Sequence, residues 1–389
     1  MSEGGYCVFA ADNGQTRSSL GRDVITLAEP GEYQAPAGVS WFFSGAEGVI
    51  GLTAAPLYRG DCRYSWEFYD GGAVWTCQRG GLTARTGLAL ARLGSGELRR
   101  AELHWDGEGV LEGELLCYLE PVLCGERDHL AHPAFSKLFV ESRAIPGGVS
   151  FRRRPRGAEE HPVLAALWDG EGSTFTTSRQ AALGRGGLRA LAGGGPGPLK
   201  GETGAVLDPC LMVRLPVRLR PGESCALRLA LGVSDRLDAA ADTAQRLLEG
   251  REEPGGMLAP IAQRLGLDQV QALGAFALLR HLASVRPGAE GRPPQCELWQ
   301  FGISGDLPIA AAPLEGGVGE DKIGLWCAQH RFLTGAGWPF DLVFLAEEGG
   351  VYRRPLLTAV REALRALGAE SALGARGGVH LVDHGEGFP

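Results

Sequence analysis

Apolar and polar positions alternate in short segments over residues 5–233. Residues 111–120 and 212–219 place apolar side chains at every second position, and glycine, proline or aspartate separates neighbouring segments. A period of two is that of a strand with one buried face, so the pattern predicts antiparallel β structure. The length of this region favours a large two-sheet sandwich over a small barrel.

The period changes after residue 233. Apolar residues recur at helical spacing over 237–248 until Gly250 ends the run, and Ser234-Asp235 is the predicted N-cap. Two further apolar stripes, at 258–265 and 267–285, also have helical spacing. The pattern therefore predicts a helical linker after the sandwich.

The last part of the chain alternates between the two periods. Strand, helix, strand, helix and strand are predicted at 307–312, 321–333, 341–345, 352–367 and 379–383. Such an alternation indicates a small α/β unit with parallel strands. The predicted fold is thus multidomain β plus α/β: a large antiparallel β sandwich at 1–233, a helical linker at 234–297, and a small α/β unit at 298–389. The uncapped end of the last unit is consistent with truncation.

Composition indicates an ordinary globular protein, with 44% hydrophobic and 22% charged residues among 389. No apolar run is long enough to span a membrane, and residues 1–5 lack the features of a signal peptide. The nine cysteines include no Cys-x-x-Cys pair, which argues against a disulfide framework and a metal site. We expect a cytoplasmic location.

The net charge is −8, so nucleic acid is not expected as a partner. Nor does the glycine-rich segment at 184–201 end in the Gly-Lys-Ser/Thr of a phosphate-binding loop. Its composition predicts a flexible surface loop.

Three segments carry a family resemblance. Residues 131–141 read AHPAFSKLFVE, residues 203–210 read TGAVLDPC, and residues 298–309 read LWQFGISGDLPI. In the same order they resemble the HPAFSKLFVET, GAG-x-DPC and LW-x-FGISGDLPI segments of glycoside hydrolase family 94, formerly glycosyltransferase family 36. This family includes glycoside phosphorylases and cyclic β-1,2-glucan synthases. The resemblance extends over residues 6–382 and is best around one super-sandwich of the glucan synthases.

The resemblance implies an activity for the complete protein: glycosyl transfer or phosphorolysis on β-linked glucans. Inorganic phosphate would be a co-substrate of a phosphorylase, and no other cofactor is implied. In this family an acidic residue of an (α/α)6 barrel is the general acid. A barrel needs about a dozen amphipathic helices, and this sequence shows far fewer, so no catalytic residue is assigned.

Expected partners are a β-linked oligo- or polysaccharide, a downstream or separate (α/α)6 barrel, and a second copy of the chain in a homodimer. The alternative to a carbohydrate-binding portion of an enzyme is a catalytically silent scaffold or oligomerisation module.

Aromatic residues cluster at Tyr64, Trp66 and Tyr69, with Trp75 close by. Sugar-binding sites pair aromatic rings with planar hydrogen-bonding side chains, so these residues are candidate substrate contacts. The alternative is that alternate aromatics of the strand fill the sandwich core.

Asp306 is the fourth candidate substrate contact, because Gly302 and Gly305 allow an unusual loop around it. The favoured alternative is that its carboxylate accepts hydrogen bonds from backbone amides of its own turn.

Asp128, His129 and His132 form a cluster of titratable residues. If the segment is strand and loop, as the pattern suggests, the two histidines point to opposite faces and the cluster is structural. We then expect Phe135, Leu138 and Phe139 to anchor the segment in the core. Elsewhere, Ser178 stands where the family has an acid, which implies that Arg179 loses its carboxylate partner.

Overall fold

The computed structural model contains two compact units, Met1–Gly256 and Met257–Pro389. The structure describes residues 2–3, 5–29, 35–69, 71–155, 160–193, 199–251, 262–284, 295–314, 320–335, 338–346 and 355–383.

The described residues of the first unit form eighteen strands. They are β1 (Ser2–Glu3), β2 (Tyr6–Ala10), β3 (Thr16–Leu20), β4 (Asp23–Thr26), β5 (Ser40–Gly45), β6 (Gly48–Gly51), β7 (Arg63–Tyr69), β8 (Gly72–Arg79), β9 (Leu82–Leu90), β10 (Ser95–Trp105), β11 (Leu111–Leu119), β12 (Pro121–Gly125), β13 (Val140–Ile145), β14 (Gly148–Arg153), β15 (Val163–Trp168), β16 (Thr174–Ser178), β17 (Pro209–Leu219) and β18 (Glu223–Ser234). They form an eight-stranded sheet in the order β13-β14-β15-β18-β10-β9-β8-β7, and two five-stranded sheets in the orders β16-β17-β11-β5-β6 and β1-β2-β3-β4-β12.

Every pairing between these strands is antiparallel, as the alternation predicts. In β9 the alternate residues Leu82, Ala84, Leu88 and Leu90 are buried in the main core, whereas Arg85 is exposed. The same core takes in Leu115 of β11 and other inward residues of the five-stranded sheet. The eight-stranded sheet and the five-stranded sheet that contains β11 thus bury one common core between them, which is a sandwich.

The sheet that contains β11 is buried on both faces. Its second face, with Leu116 and Met212, packs against helix α3 (Arg179–Leu183) and the 3₁₀ segment Gly184–Gly193. Leu188 and Leu191 of that segment are buried in the contact. The prediction of a flexible surface loop is therefore wrong for residues 184–193, because the leucines between the glycines cover an apolar sheet face.

Helix α4 (Leu237–Leu248) packs on the outer face of the eight-stranded sheet through Ala244 and Leu247. Its N-cap is Arg236, without a side-chain cap bond, so the predicted Ser234-Asp235 cap is wrong by one to two positions. The helix approaches Gly232 so closely that a Cβ there would lie 2.0 Å from the carbonyl oxygen of Ala240.

The second unit contains a three-stranded parallel sheet, as predicted. Its elements are α5 (Gln269–Ser284), the 3₁₀ turn Gln295–Phe301, β19 (Ile309–Pro313), α6 (Glu320–Gly335), β20 (Asp341–Ala346), α7 (Pro355–Ala366), the 3₁₀ turn Glu370–Ala372 and β21 (Val379–Asp383), with strand order β19-β20-β21. Of the predicted helix at 258–265, residues 258–261 lie outside the described part of the chain.

The parallel sheet is covered on both faces, as parallel sheets are. Phe344 packs with residues of α6 and α7 on one face. On the other face, Val343 and Val382 pack against Ile303. The observed elements confirm the β plus α/β fold class, while the division at residues 233 and 297 stays a proposal. Within the described residues, no helix is long and apolar enough to cross a membrane.

Candidate functional site

Strand β7 is the last strand of the eight-stranded sheet and carries the predicted aromatic cluster. Its residues from Ser65 to Tyr69 are exposed. Direct pairing with β8 places Trp66 opposite Trp75 and Tyr64 opposite Cys77. Because Trp75 and Cys77 belong to the main core, Tyr64, Trp66 and Phe68 lie on the inner face of the strand, where that core reaches the sheet edge.

The inner face forms an aromatic surface with a fixed base. Trp66 is 52% exposed and Phe68 is 45% exposed. Trp75 is buried beside them, meets Phe68 edge to face at 6.1 Å, and donates a hydrogen bond from Nε1 to the carbonyl oxygen of Ala11 at 3.0 Å. The exposed rings thus lie beside a buried, hydrogen-bonded indole. We call Trp66 and Phe68 the edge platform.

The structure brings Tyr64 and Trp66 together but separates them from Tyr69. Tyr64 packs against the core and donates its hydroxyl to the carbonyl oxygen of Gly51 at 3.2 Å. Tyr69 lies on the opposite face, over Gly72, and its hydroxyl donates to the carbonyl oxygen of Leu88 at 3.3 Å. Asp70, which follows Tyr69, lies outside the described residues.

Planar charged groups continue the inner face beyond Tyr64. Arg79 follows Cys77 by two positions on β8, and its Nε lies 2.8 Å from Oδ2 of Asp61. Asp61 also accepts from Arg59, at 2.9 Å from its Nε, and this hydrogen bond lowers the pKa of Asp61 well below its usual range. The carboxylate therefore stays ionised at neutral pH and holds two guanidinium groups beside the aromatic rings. Sequence reasoning missed this group, since Arg59 and Arg79 lie far apart in the chain.

Asp306 lies in the second unit and is exposed. Gly302 and Gly305 have φ values of +73° and +72°, as the glycine pattern predicts. The prediction that backbone amides donate hydrogen bonds to Asp306 is wrong, because its partners are side chains. Asp306 Oδ1 accepts a hydrogen bond at 3.0 Å from Nε2 of Gln295, and Oδ2 lies 3.8 Å from Nε of Arg376.

The AHPAFSKLFVE segment (131–141) and the TGAVLDPC segment (203–210) meet in a half-buried ionic network. Glu120 accepts hydrogen bonds from Lys137 at 2.7 Å and from Arg179 at 3.2 Å. The same two side chains reach Asp208 at 2.9 and 3.4 Å. Arg179 therefore has two carboxylate partners, and the expectation that Ser178 leaves it without one is wrong, because both partners come from distant segments.

The cluster of Asp128, His129 and His132 is helical, so its prediction as strand and loop is wrong. Helices α1 (Glu126–Ala131) and α2 (Pro133–Lys137) meet at His132. His129 is buried, and burial lowers its pKa, so the imidazole is neutral at pH 7.

The predicted apolar anchors of this segment behave differently from expectation. Phe135 is 48% exposed and Leu138 is 36% exposed, so neither is a core residue. Among the residues that the structure describes, no group of three or more acidic, histidine or cysteine side chains is arranged to hold a metal ion.

The sandwich geometry agrees with the sequence comparison. The model of the glycosyl hydrolase 94 supersandwich domain matches residues 46–249. The chain belongs to the glycosyl hydrolase 94 family. The matched region runs from the β5–β6 turn through helix α4, so it takes in the edge platform and the ionic network around Glu120.

The chain is similar to the cyclic beta-(1,2)-glucan synthase NdvB of Rhizobium meliloti (strain 1021), with 27% identity over 386 residues. The match covers 92% of this chain and 14% of the relative, so the chain spans only a small part of that protein's length.

Solved structures of carbohydrate-active proteins are also similar, with low scores. A bacterial glucoamylase complexed with acarbose has 10% identity and a TM-score of 0.37, covering 64% of this chain and 36% of its own. A putative kojibiose phosphorylase from human microbiome has 7% identity and a TM-score of 0.31. That match covers 64% of this chain and 29% of the phosphorylase chain.

Proposed function

We propose that this chain is a carbohydrate-binding portion of a family 94 protein that acts on β-linked glucans, and that the edge platform of Trp66 and Phe68 is where a glucan chain lies. The observation that carries the proposal is the pair of exposed rings on one strand face, fixed from below by buried Trp75. The catalytic (α/α)6 barrel then belongs to another part of the complete protein or to a partner.

The chemistry of the inner face supports a sugar ligand. Pyranose rings have apolar C–H faces that stack on aromatic rings, and their hydroxyl groups need donors and acceptors at the ring edge. Arg79, Asp61 and Arg59 supply both kinds of group next to Tyr64. Glu47 Oε2 lies 3.1 Å from Nη1 of Arg79, so two guanidinium groups face two carboxylates. The paired groups present fixed hydrogen-bonding edges without a net charge, which suits a neutral polysaccharide.

Family membership narrows the range of ligands to test. NdvB is a β-1,2-glucan synthase by name, so β-1,2-linked gluco-oligosaccharides are the first ligands to test. Tyr69 lies on the other face of β7, so we assign it no contact with a sugar stacked on Trp66.

The test is isothermal titration of the purified chain with β-1,2-linked gluco-oligosaccharides. We expect Trp66→Ala and Phe68→Ala each to weaken binding by about tenfold, which is ~1.4 kcal/mol. Trp338→Ala is the matched control, because Trp338 is also a half-exposed tryptophan, at 43%, but lies in the other unit.

Equal affinity of Trp66→Ala and the unaltered chain would overturn the proposal. So would the absence of glucan binding by the unaltered chain. If sedimentation then showed a dimer that Trp66→Ala dissociates, the scaffold or oligomerisation function would replace it.

A further inference from the structure

A second cleft lies in the first unit, away from the edge platform. It has a volume of about 540 Å³ and lies where helices α1 and α2 face strand β14. Its polar lining comes from four different segments of the chain. The side chains that carry the argument are Asp128, His132, Phe135, Arg153 and His161.

The wall of this cleft is held in place by contacts with its surroundings. Arg153 donates to the carbonyl oxygen of Ser136 at 3.0 Å, and its guanidinium carbon lies 5.5 Å from the ring centre of Phe139. Phe135 meets Phe139 edge to face at 5.2 Å. One exposed aromatic ring and one guanidinium are thus fixed at the cleft before any ligand arrives.

A buried carboxylate stands behind the wall. Asp23 is 8% exposed, and its Oδ1 lies 3.9 Å from Nδ1 of His161, which is too far for a hydrogen bond. Among the described residues, no donor reaches this oxygen atom. The negative charge of Asp23 therefore adds to that of Asp128 at this side of the cleft.

The balance of charge selects the kind of ligand. Arg153 and the two imidazoles of His132 and His161 offer donors, Asp128 offers a carboxylate acceptor, and the carboxylate of Asp23 lies behind His161. A phosphate group would meet repulsion from both carboxylates. A ligand with many hydroxyl groups, each able to donate and accept, satisfies donors and acceptors together.

We propose that this cleft binds one neutral hexopyranose unit, with its apolar face on Phe135 and its hydroxyl groups on Asp128, His132 and Arg153. The site is separate from the edge platform. A glucan chain bound at the platform and a sugar unit bound in the cleft are independent contacts, and either stands if the other fails.

The experiment uses glucose as the probe, measured by titration calorimetry and ligand-observed NMR on the whole chain. We expect millimolar binding that Asp128→Asn weakens by about tenfold or more. Glu126→Gln is the matched control: Glu126 is on the same helix but pairs with Arg17 and does not line the cleft. Trp66→Ala should leave glucose binding in the cleft unchanged.

Phe135→Ala gives a second variant in which the fold is preserved, because the ring is exposed. It should weaken glucose binding to a similar extent. The proposal is overturned if glucose does not bind, if both variants bind it as tightly as the unaltered chain, or if inorganic phosphate displaces it.

Discussion

The ammonium group of Lys137 lies 2.7 Å from the carboxylate of Glu120, a side chain that is only 2% exposed. Burial disfavours the charged ammonium, but Glu120 and Asp208 outweigh this effect, and the pKa of Lys137 is raised. The lysine of the HPAFSK segment therefore ties helix α2 to strand β17 at the start of the DPC segment. Its role is structural, since it leaves no proton to give or take near neutral pH.

Replacement of Lys137 by methionine should lower the free energy of unfolding by about 3 kcal/mol, the low end for loss of one partner of a buried ion pair. Arg179 and the hydroxyl of Tyr118 still reach Glu120, which keeps the cost from being larger. Urea denaturation measures the change. Lys200→Met, at an exposed lysine of the same unit, should change stability by less than about 0.5 kcal/mol. Equal effects of the two substitutions would contradict this account.

Gly232 is the point at which helix α4 lies against the eight-stranded sheet. A Cβ at this position would lie 2.0 Å from the carbonyl oxygen of Ala240, so Gly232→Ala must push the helix outward. We expect a loss of about 1–3 kcal/mol, as for other overpacked sites. Gly87→Ala in strand β9 has nothing within 4 Å of the new atom and should be close to neutral. Urea denaturation of both variants measures the difference in free energy of unfolding. If Gly232→Ala left the stability unchanged, helix α4 would be only loosely packed on the sheet.

Alanine substitutions at Gly302 and Gly305 distinguish the stability cost of backbone strain from that of steric contact. Both have positive φ values, but a Cβ at Gly302 would meet nothing within 4 Å, whereas one at Gly305 would lie 2.8 Å from Cγ of Gln295. Gly302→Ala should cost about 1–2 kcal/mol, the penalty of the left-handed conformation, and Gly305→Ala should cost more. Asp306→Ala, at an exposed carboxylate, should cost less than about 1 kcal/mol. Thermal unfolding gives the order, and a larger loss from Asp306→Ala than from Gly305→Ala would refute it.

His330 predicts an acid sensitivity of the second unit. The side chain of His330 is buried, and its Nε2 atom lies 3.0 Å from the carbonyl oxygen of Phe340. Burial lowers the pKa of His330, although the neighbouring Asp341 carboxylate acts in the opposite direction. The unfolded chain, with an ordinary histidine pKa of about 6.5, takes up a proton more readily than the folded chain. Stability should therefore fall as the pH drops below about 6.5.

The variant His330→Gln keeps an amide donor near Phe340 and removes the titrating group. Its free energy of unfolding should fall less steeply between about pH 7 and pH 5 than that of the unaltered chain, whose slope from one such group is at most ~1.4 kcal/mol per pH unit. Parallel curves for the two proteins would assign the acid sensitivity to other residues.

Much of the fold could be predicted from the sequence. Strands β9 and β10 alternate with a period of two, and helices α4 and α7 carry an apolar stripe of helical period, because each buries one face against a neighbouring layer. Helices α1 and α2 were missed. They are only six and five residues long, too short for a helical period to register.

The candidate sites were predictable only in part. The aromatic residues of β7 could be found from composition, but the face on which each lies depended on pairing with β8. Tyr64 and Trp66 share the inner face, whereas Tyr69 does not, because side chains of a strand alternate. The charged partners Arg59 and Arg79 join the aromatic face only after the hairpin and the preceding loop are folded.

By itself the sequence determined the strand and helix periods, the left-handed glycines around Asp306 and the family resemblance, all of which depend on neighbouring positions along the chain. Only the tertiary structure decided which charges meet. Arg179 lies 59 positions from Glu120 and 29 from Asp208, and His161 approaches Asp23 from the segment that precedes strand β15. Such partners are chosen by the packing of sheets and helices, because an ion pair or a cleft depends on distances in space that local periodicity does not contain.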